Sequence, residues 1–517
     1  MRVMLIASPQ ILRQYATFSP GVVQPNGLAY IAAVLEKEGI EVTILDAMAE
    51  GRKRIHKFSE DRNYVGLTYD EVAERVNEKN PDWVGITCSF TSQSRSSHRV
   101  AEAIRKSGNN VPIVFGGNHT TVVPEMVLSD ENVDIATLGE GEYTSVELCK
   151  AFDNGWSEEA LLKIDGIAFR NREGKIIYTK PRELIHNLDG LPFPARHLLP
   201  MEEYFKAQME GDSSRYSEKR SVQIFTSRGC PFGCTFCAGR KVTGQAFRPR
   251  SPESVVSEME HVKEKYGVGE IHIEDDNFTF DKKRTDKILD LMIERKLNLQ
   301  WRTPNAVRAD LLDEPLLRKM KEAGLIELSI APESGDQDVL IKLVHKNLNL
   351  KKVEEIVSIC KKLGIKINCF FMVGYPGETK ANQRKTLEFS VKLRNMGAET
   401  YPQVISVLPL YGSELKRQAE EMGALHPIGD KPLDLSFLDT DSLIETNEFN
   451  RKDLEQLNRA WKHEYRKHSL TDPKIVRSRA KRLAELIRTK PRHALKRLVE
   501  ETKATAKLLM GGNDSKY

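Results

Sequence analysis

SRGCPFGCTFCAGR, residues 227–240, spaces three thiols as C-x3-C-x2-C: Cys230, Cys234 and Cys237. Three thiolates on one short loop can bind three irons of a 4Fe-4S cluster and leave the fourth iron without a protein ligand. Gly229 and Gly233 permit the tight backbone wrapping that such close thiolates require. An iron left open in this way is suited to bind a small molecule and hand it an electron. The alternative is a zinc site of three cysteines with a histidine such as His261. Structural zinc, however, usually shows paired C-x2-C or C-x2-C…H-x3-5-H spacings, and no second half follows here. The remaining cysteines, Cys88, Cys149, Cys360 and Cys369, are scattered singly. An odd total of 7 in a chain without a signal-peptide pattern argues for reduced thiols, one group of them functional.

The cysteine loop follows the first strand of a strand–helix series. Its strands are SVQIFTS (221–227), EIHIEDD (270–276), LQWRTPNA (299–306), LIELSIAP (325–332), KINCFFMVGY (366–375) and TYPQVISVLPL (400–410). Six such units predict a partial barrel, short of the eight that close one, with functional residues at the strand C-termini. Upstream, RVMLIAS (2–8), EVTILDA (41–47), WVGITCS (83–89), PIVFGGN (112–118) and DIATLGE (134–140) alternate with helical stretches at 27–39, 70–80, 93–107 and 122–128. That pattern predicts an open, doubly wound, Rossmann-like parallel sheet. Its ligand would lie at the strand C-termini, where Ser8, Thr87 to Thr91, Gly116 to His119 and Gly139 to Glu142 gather. No G-x-G-x-x-G follows the first strand, which disfavours a dinucleotide. A hairpin is expected at 165–180 and an extended, proline-rich connector at 181–200. The predicted α/β organisation is therefore a ligand-binding domain (1–155), a hairpin and connector (156–215), a partial barrel (216–412) and a basic helical C-terminal region (413–517).

Residues 221–410 resemble the radical S-adenosylmethionine (SAM) core, whose signature is C-x3-C-x-aromatic-C, with Phe236 as the aromatic. The resemblance implies that Cys230, Cys234 and Cys237 hold the cluster and that the open iron chelates the amino and carboxylate groups of SAM. One electron then cleaves SAM to methionine and a 5′-deoxyadenosyl radical. By place in the pattern, EDDNF puts Glu274, Asp275 and Asp276 where the family binds the methionine ammonium. APESG (331–335) puts Glu333 and Ser334 near the ribose or methionyl part, Arg308 fits a carboxylate contact, and Gly374 of VGYPGET (373–379) falls near the adenine. The plain readings of these residues are strand ends, helix caps, a surface ion pair and turn glycines.

The N-terminal stretches PNGLAYIAAVLEKEGIEVTILDA (25–47), VGITCSFTSQSRSSHRVAEAI (84–104), FGGNHTTVVPEMV (115–127) and DIATLGEGE (134–142) resemble the cobalamin-binding domain often fused ahead of this core. The resemblance implies contacts from Ser8, Ser89, Thr91, Ser92, Gly116, Gly117, Asn118, His119, Gly139, Glu140, Gly141 and Glu142. A bare nucleotide or flavin fold is the alternative. The lower-axial motif D-x-H-x-x-G is absent, as expected from the resemblance to class B radical methylases, which implies a weakly ligated lower face of cobalt.

Together these resemblances imply a cobalamin-dependent radical SAM C-methyltransferase acting on an unactivated carbon. One SAM would methylate cob(I)alamin, and a second would yield the radical that takes a substrate hydrogen before the methyl group is transferred. The competing readings are a radical SAM oxidative cyclase or other non-methylating enzyme of this architecture, and a non-catalytic cobalamin-binding protein. A tRNA methylthiotransferase needs a second N-terminal trio of cysteines, which Cys88 and Cys149 cannot supply. The expected partners are a flavodoxin- or ferredoxin-type electron donor and a lipid, peptide or small-molecule substrate.

Bulk composition adds one feature. At 40% hydrophobic and 29% charged, the 517 residues describe a globular protein. The net charge of +4 conceals an uneven distribution: residues 451–517 hold 19 Lys+Arg against 8 Asp+Glu, leaving 59 against 66 in residues 1–450. The basic tail alternates charged and apolar positions at helical spacing. It reads either as helices packed on the barrel or as a docking surface for an anionic membrane or acidic protein. Nucleic acid is disfavoured because no recognition module accompanies the charge. No apolar run approaches the ~18 residues of a membrane helix, so a cytoplasmic enzyme, peripheral at the membrane surface if the tail docks there, is expected.

Overall fold

Arg2–Ala7 (β1) is an apolar run whose middle four residues are all buried, as a central parallel strand covered on both faces requires. In the computed structural model, which describes residues 1–13, 22–210, 219–400, 405–426 and 443–471, β1 lies between Glu41–Asp46 (β2) and Trp83–Thr87 (β3), parallel to both. Ile113–Gly116 (β4) and Ile135–Thr137 (β5) continue the parallel sheet. The hairpin Ile167–Arg170 (β6) and Ile176–Tyr178 (β7) then adds two antiparallel strands to the same edge. The strand order is β7-β6-β5-β4-β3-β1-β2. The winding reverses between β1 and β3, which is where open α/β sheets bind ligands beyond their strand C-termini.

Two local features differ from the sequence reading. The helix expected at 122–128 is two short ones, Asn118–Val122 and Pro124–Leu128, because Pro124 can start a helix but not continue one. Gln10–Arg13, Ile55–Lys57 and Arg62–Val65 form a separate antiparallel sheet. Strands of three or four residues carry too few alternations to announce themselves.

Ser221–Ile224 (β8), Glu270–Ile273 (β9), Gln300–Val307 (β10), Leu325–Glu333 (β11), Lys366–Val373 (β12) and Glu399–Thr400 (β13) pair in sequence order, all parallel, as an open partial barrel. The sixth strand expected at 400–410 is split: β13 and Ile405–Ser406 (β14) both pair with β12, and 401–404 lie outside the described residues. The connector ends in a helix, Met201–Glu210, fastened to the first domain by Arg52 pairing with Glu203 (3.1 Å) and Glu210 (2.7 Å). One buried apolar cluster includes Leu5 and Trp83 of the first sheet and Ile224 and Trp301 of the second, so the two sheets share a core. The helix Arg451–Thr471 packs on the barrel through Leu454 and Trp461, with the Trp461 ring 6.0 Å from that of Phe371. The rest of the basic tail, 472–517, lies outside the described residues.

Candidate active site and cofactor cleft

The cysteine loop leaves β8 and is closed at its stem by a two-residue ribbon, Ser227–Arg228 against Arg248–Pro249. Gly229 has φ +83°, and a Cβ there would stand 2.2 Å from the Ala246 carbonyl oxygen, so the stem admits only glycine. Thr235 pins the far side: its N–H donates to Val344 O (3.1 Å) and its hydroxyl to Leu343 O (2.7 Å). Cys230 and Cys234 are half-buried and Cys237 keeps exposed surface. The three thiols are close enough to feel one another's charge. Desolvation by the surrounding loop is the main cause that pushes all three upward, Cys237 to about 11. A metal entering here must therefore expel protons as it binds. Among the described residues no three His, Cys, Asp or Glu side chains converge as the ligands of one ion do. Thiolates of a 4Fe-4S cluster sit on separate irons and have no need to converge. The loop fits such a cluster.

The acids after β9 have different surroundings. Glu274 accepts from Gln223 Nε2 (3.3 Å), and Gln223 Oε1 accepts from Asn26 Nδ2 (2.9 Å) of the first domain. Asp275 is 2% exposed and takes the Thr226 N–H (2.6 Å), the Thr226 hydroxyl and the Ser227 hydroxyl (2.6 Å). That carboxylate builds the corner leading into the cysteine loop. Asp276 is exposed, accepts from the Thr243 hydroxyl (3.2 Å), and acts electrostatically on Cys230 and Cys237. Arg308 lies with its guanidinium 3.9 Å above the Phe232 ring and pairs with Asp310 (2.9 Å). Ser334 is fully buried in a knot with Thr386 (3.0 Å) and the Asp336 N–H (3.1 Å). Gly374, at φ +93°, donates its N–H to Glu378 (2.5 Å). Phe236 is partly buried against the apolar core.

Outside the first domain's strand ends, a half-open cleft, about 1140 Å³ counting space continuous with solvent, lies between its two walling helices, Asn26–Lys37 and Gly141–Asp153, and the barrel. Leu28, Ile31, Ile86 and Val114 contribute apolar lining, and Phe225 and Arg228 close it from the barrel side. Of the residues singled out in the sequence, Ser89, Gly116, Gly117, Asn118, Gly139, Glu140, Gly141 and Glu142 line it. Ser8, Thr91, Ser92 and His119 do not. Ser8 bonds to Ser97 (3.2 Å), and the 2%-exposed His119 shares a hydrogen bond with Thr91 (3.0 Å), so these polar groups are engaged with one another beside the cleft. Gly139, at φ +79°, has nothing within 4 Å of where a Cβ would lie, which leaves backbone open to a ligand. Glu140 and Glu142 are not free acids: Arg228 donates to both, at 2.7 and 2.6 Å, and Arg248 donates to Glu140 at 2.7 Å. A mostly apolar cleft with its charges neutralised in pairs suits the amide-fringed corrin macrocycle of cobalamin.

Three residues beside the cysteines escape the sequence reading. Arg228 and Arg248 are stem residues whose partners lie about a hundred positions away, and Lys346 pairs with Glu333 in the barrel (3.1 Å). Only the acids of LGEGE, set in an otherwise apolar loop, signalled that cations must reach them.

Comparison with known proteins agrees with this order of domains. The model of the B12 binding domain matches residues 15–149, and that of the Radical SAM superfamily matches residues 224–390. The chain is 32% identical over 437 residues to cytidylyl-2-hydroxyethylphosphonate methyltransferase of Streptomyces wedmorensis, covering 79% of this chain and 80% of that protein. It is 28% identical over 371 residues to the anaerobic magnesium-protoporphyrin IX monomethyl ester cyclase of Rubrivivax gelatinosus, covering 71% and 61%. In fold it is similar to the radical SAM methyltransferase TsrM from Kitasatospora setae, solved with tryptophan substrate and the SAM analogue aza-SAM. The TM-score is 0.64 and the identity 18%, over 83% of this chain and 79% of that one.

Proposed function

Because the chain belongs to the cobalamin-binding radical SAM methyltransferase family, we propose that it transfers a methyl group to an unactivated carbon of its substrate. One observation carries this reading: Arg228, two residues before Cys230, also lines the cleft at the first domain's strand ends, so the two cofactor sites adjoin. When bound, the cluster supplies an electron, SAM a hydrogen-abstracting radical and a methyl group, and cobalamin the relay for that methyl.

Cys230, Cys234 and Cys237 would hold three irons and leave the fourth for SAM. Glu274, oriented by Gln223, offers an anionic contact for the methionine ammonium, and Asp276 stands beside the cysteine loop. Asp275 acts indirectly by fixing the corner from which the loop departs. Arg308 and Glu333 stand near Cys234, each held by a counter-charge of its own, Asp310 and Lys346, so a zwitterionic ligand would meet paired charges there. Phe225 and Val242 give the barrel side of the cleft an apolar surface. Enzymes of this family need a reductant and bind a substrate. A flavodoxin or ferredoxin is the donor proposed here, in the cytoplasm. No helix among the described residues is long and apolar enough to cross a membrane, and the basic tail is proposed as the docking element.

The test is anaerobic reconstitution with iron, sulfide and cobalamin, followed by turnover with methyl-labelled SAM, a reductant and a panel of acceptors headed by cytidylyl-2-hydroxyethylphosphonate. Reductant-dependent 5′-deoxyadenosine together with a labelled product is expected. Deoxyadenosine with an oxidised or cyclised, unlabelled product would replace methylation with the cyclase reading.

A further inference from the structure

The cysteine loop enters and leaves through a stem in which Arg228 and Arg248 are paired in register. Both guanidiniums reach into the same turn of the other domain. Arg228 Nη1 lies 2.7 Å from Glu140 Oε1 and its Nη2 2.6 Å from Glu142 Oε1. Arg248 Nη1 lies 2.9 and 2.7 Å from the two Glu140 oxygens and also donates to Ile185 O at 2.8 Å. The side chains of Arg248, Glu140 and Glu142 are 3%, 6% and 6% exposed. Charges this buried are strongly destabilising unless each has its partner, and here each has one. Arg228 also covers the Tyr30 ring at 5.3 Å, and Tyr30 lines the cleft as well.

A domain-docking salt bridge would explain the burial alone. It would not explain why both strands of the stem converge on one carboxylate. Nor would it explain why that carboxylate sits in the glycine-flanked turn 139–142, whose backbone forms the cleft wall. Gly139 has positive φ and an open Cβ direction, so this stretch faces whatever fills the cleft. Displacing the turn displaces Glu140, and with it both ends of the cysteine loop.

We infer that Arg228 is a positioning residue that couples the two cofactor sites. A ligand in the cleft fixes the 139–142 turn, and the turn fixes the stem of the loop that holds the cluster. The inference rests on the assignment of the cleft to cobalamin and of the loop to a 4Fe-4S cluster. Coupling between two sites is reciprocal, so the cluster must strengthen cobalamin binding by the factor with which cobalamin strengthens cluster binding.

The experiment compares cobalamin affinity, by absorbance titration, in cluster-loaded and cluster-free full-length protein. In the wild type the loaded form is expected to bind about tenfold more tightly. Arg228→Lys keeps the charge but cannot bridge Glu140 and Glu142 with one ammonium. Because Arg248 still holds Glu140, the difference between the two forms is expected to shrink several-fold in this variant while iron content per chain is retained. The reduced cluster's electron paramagnetic resonance spectrum should respond to added cobalamin in the wild type and respond less in Arg228→Lys. Glu142→Gln, which leaves the Arg228–Glu140–Arg248 contacts in place, should show a reduced ratio and decides the matter if Arg228→Lys does not fold. A wild type with equal affinities, or variants that keep the wild-type ratio, would overturn the coupling. A wild type that takes up no cobalamin or no iron overturns the cofactor assignment instead, so the two failures are distinct.

Discussion

The Lys346 ammonium lies 3.1 Å from Glu333 Oε1, with both side chains only 6% exposed. Lys346 also donates to the Ala331 carbonyl at 2.6 Å. Glu333 has φ +67°, at a register shift between β11 and β12. Non-glycine residues seldom adopt that backbone region, and holding one there costs ~1–3 kcal/mol. The strand is therefore bent to aim a carboxylate at a buried cation, and the pair stands beside Cys234, whose thiol senses Lys346.

Replacing Lys346 by Met leaves Glu333 buried without its counter-charge. Burial already pushes the Glu333 carboxyl upward against the opposing pull of Lys346, so without the lysine the acid takes up a proton or forces local rearrangement. The expected loss is about 3–5 kcal/mol, read as a lower urea midpoint. The double variant Lys346→Met/Glu333→Gln should recover most of it. A single variant as stable as the wild type would show that the pair is not a buried one in solution.

Asp46 makes stability depend on pH. Burial raises its carboxyl from 3.8 to about 6, although the Tyr204 hydroxyl (2.6 Å) and the Ala49 N–H (2.9 Å) both donate to it. An acid that holds its proton more tightly when folded contributes stability that is full below its unfolded pKa and is lost as pH rises through its folded one. A shift of this size corresponds to ~3 kcal/mol in total, of which roughly 1 kcal/mol is lost between about pH 5 and 7. Asp46→Asn should flatten that slope while keeping the Ala49 cap. Urea midpoints across the interval decide it, and parallel slopes for the two proteins would clear Asp46 of the effect.

Much of this architecture is legible in the sequence because it is written locally. The parallel strands are apolar runs, and the cluster ligands proposed above are three cysteines within eight residues. The cleft lining between Gly116 and Asn118 and between Gly139 and Glu142 follows from the strand–turn–helix pattern alone. What the sequence conceals is tertiary. The acids of LGEGE suggested direct cofactor contacts, yet their oxygens go to Arg228 and Arg248, and only folding brings those together. His119 and Thr91 lie on loops that suit a ligand, but packing turns them toward each other. Periodicity carries no information on such pairings.

Gly139 and Gly155 form a matched pair for separating backbone cost from ligand contact. Both have positive φ, +79° and +81°, and neither has an atom within 4 Å of an added Cβ. Valine at either position incurs a similar left-handed penalty of about 1–2 kcal/mol. Only Gly139 lines the cleft, whereas Gly155 is exposed at a helix end. Gly139→Val should therefore weaken cobalamin binding at least tenfold, corresponding to about 1.4 kcal/mol, with iron content unchanged. Gly155→Val should leave both as they are. Equal effects from the two substitutions would mean that backbone strain, not the cleft, controls cobalamin uptake.

The basic tail divides at Thr471 into parts with separate consequences. The helix Arg451–Thr471 belongs to the barrel: Leu454 and Trp461 are each 2% exposed, and Asp453 pairs with Lys380 at 2.8 Å. Removing the chain from Arg451 onward strips a buried tryptophan from the core and should cost about 3–5 kcal/mol, seen as a fall in Tm. Removing only 472–517 takes away 13 basic and 5 acidic residues, and should leave Tm, iron and cobalamin content at wild-type values. What it should abolish is co-sedimentation with vesicles rich in anionic phospholipid at low salt, an attraction expected to weaken with ionic strength. Loss of either cofactor from this shorter truncation would place the distal tail in the catalytic body. Vesicle binding that survives it would move the docking surface elsewhere on the chain.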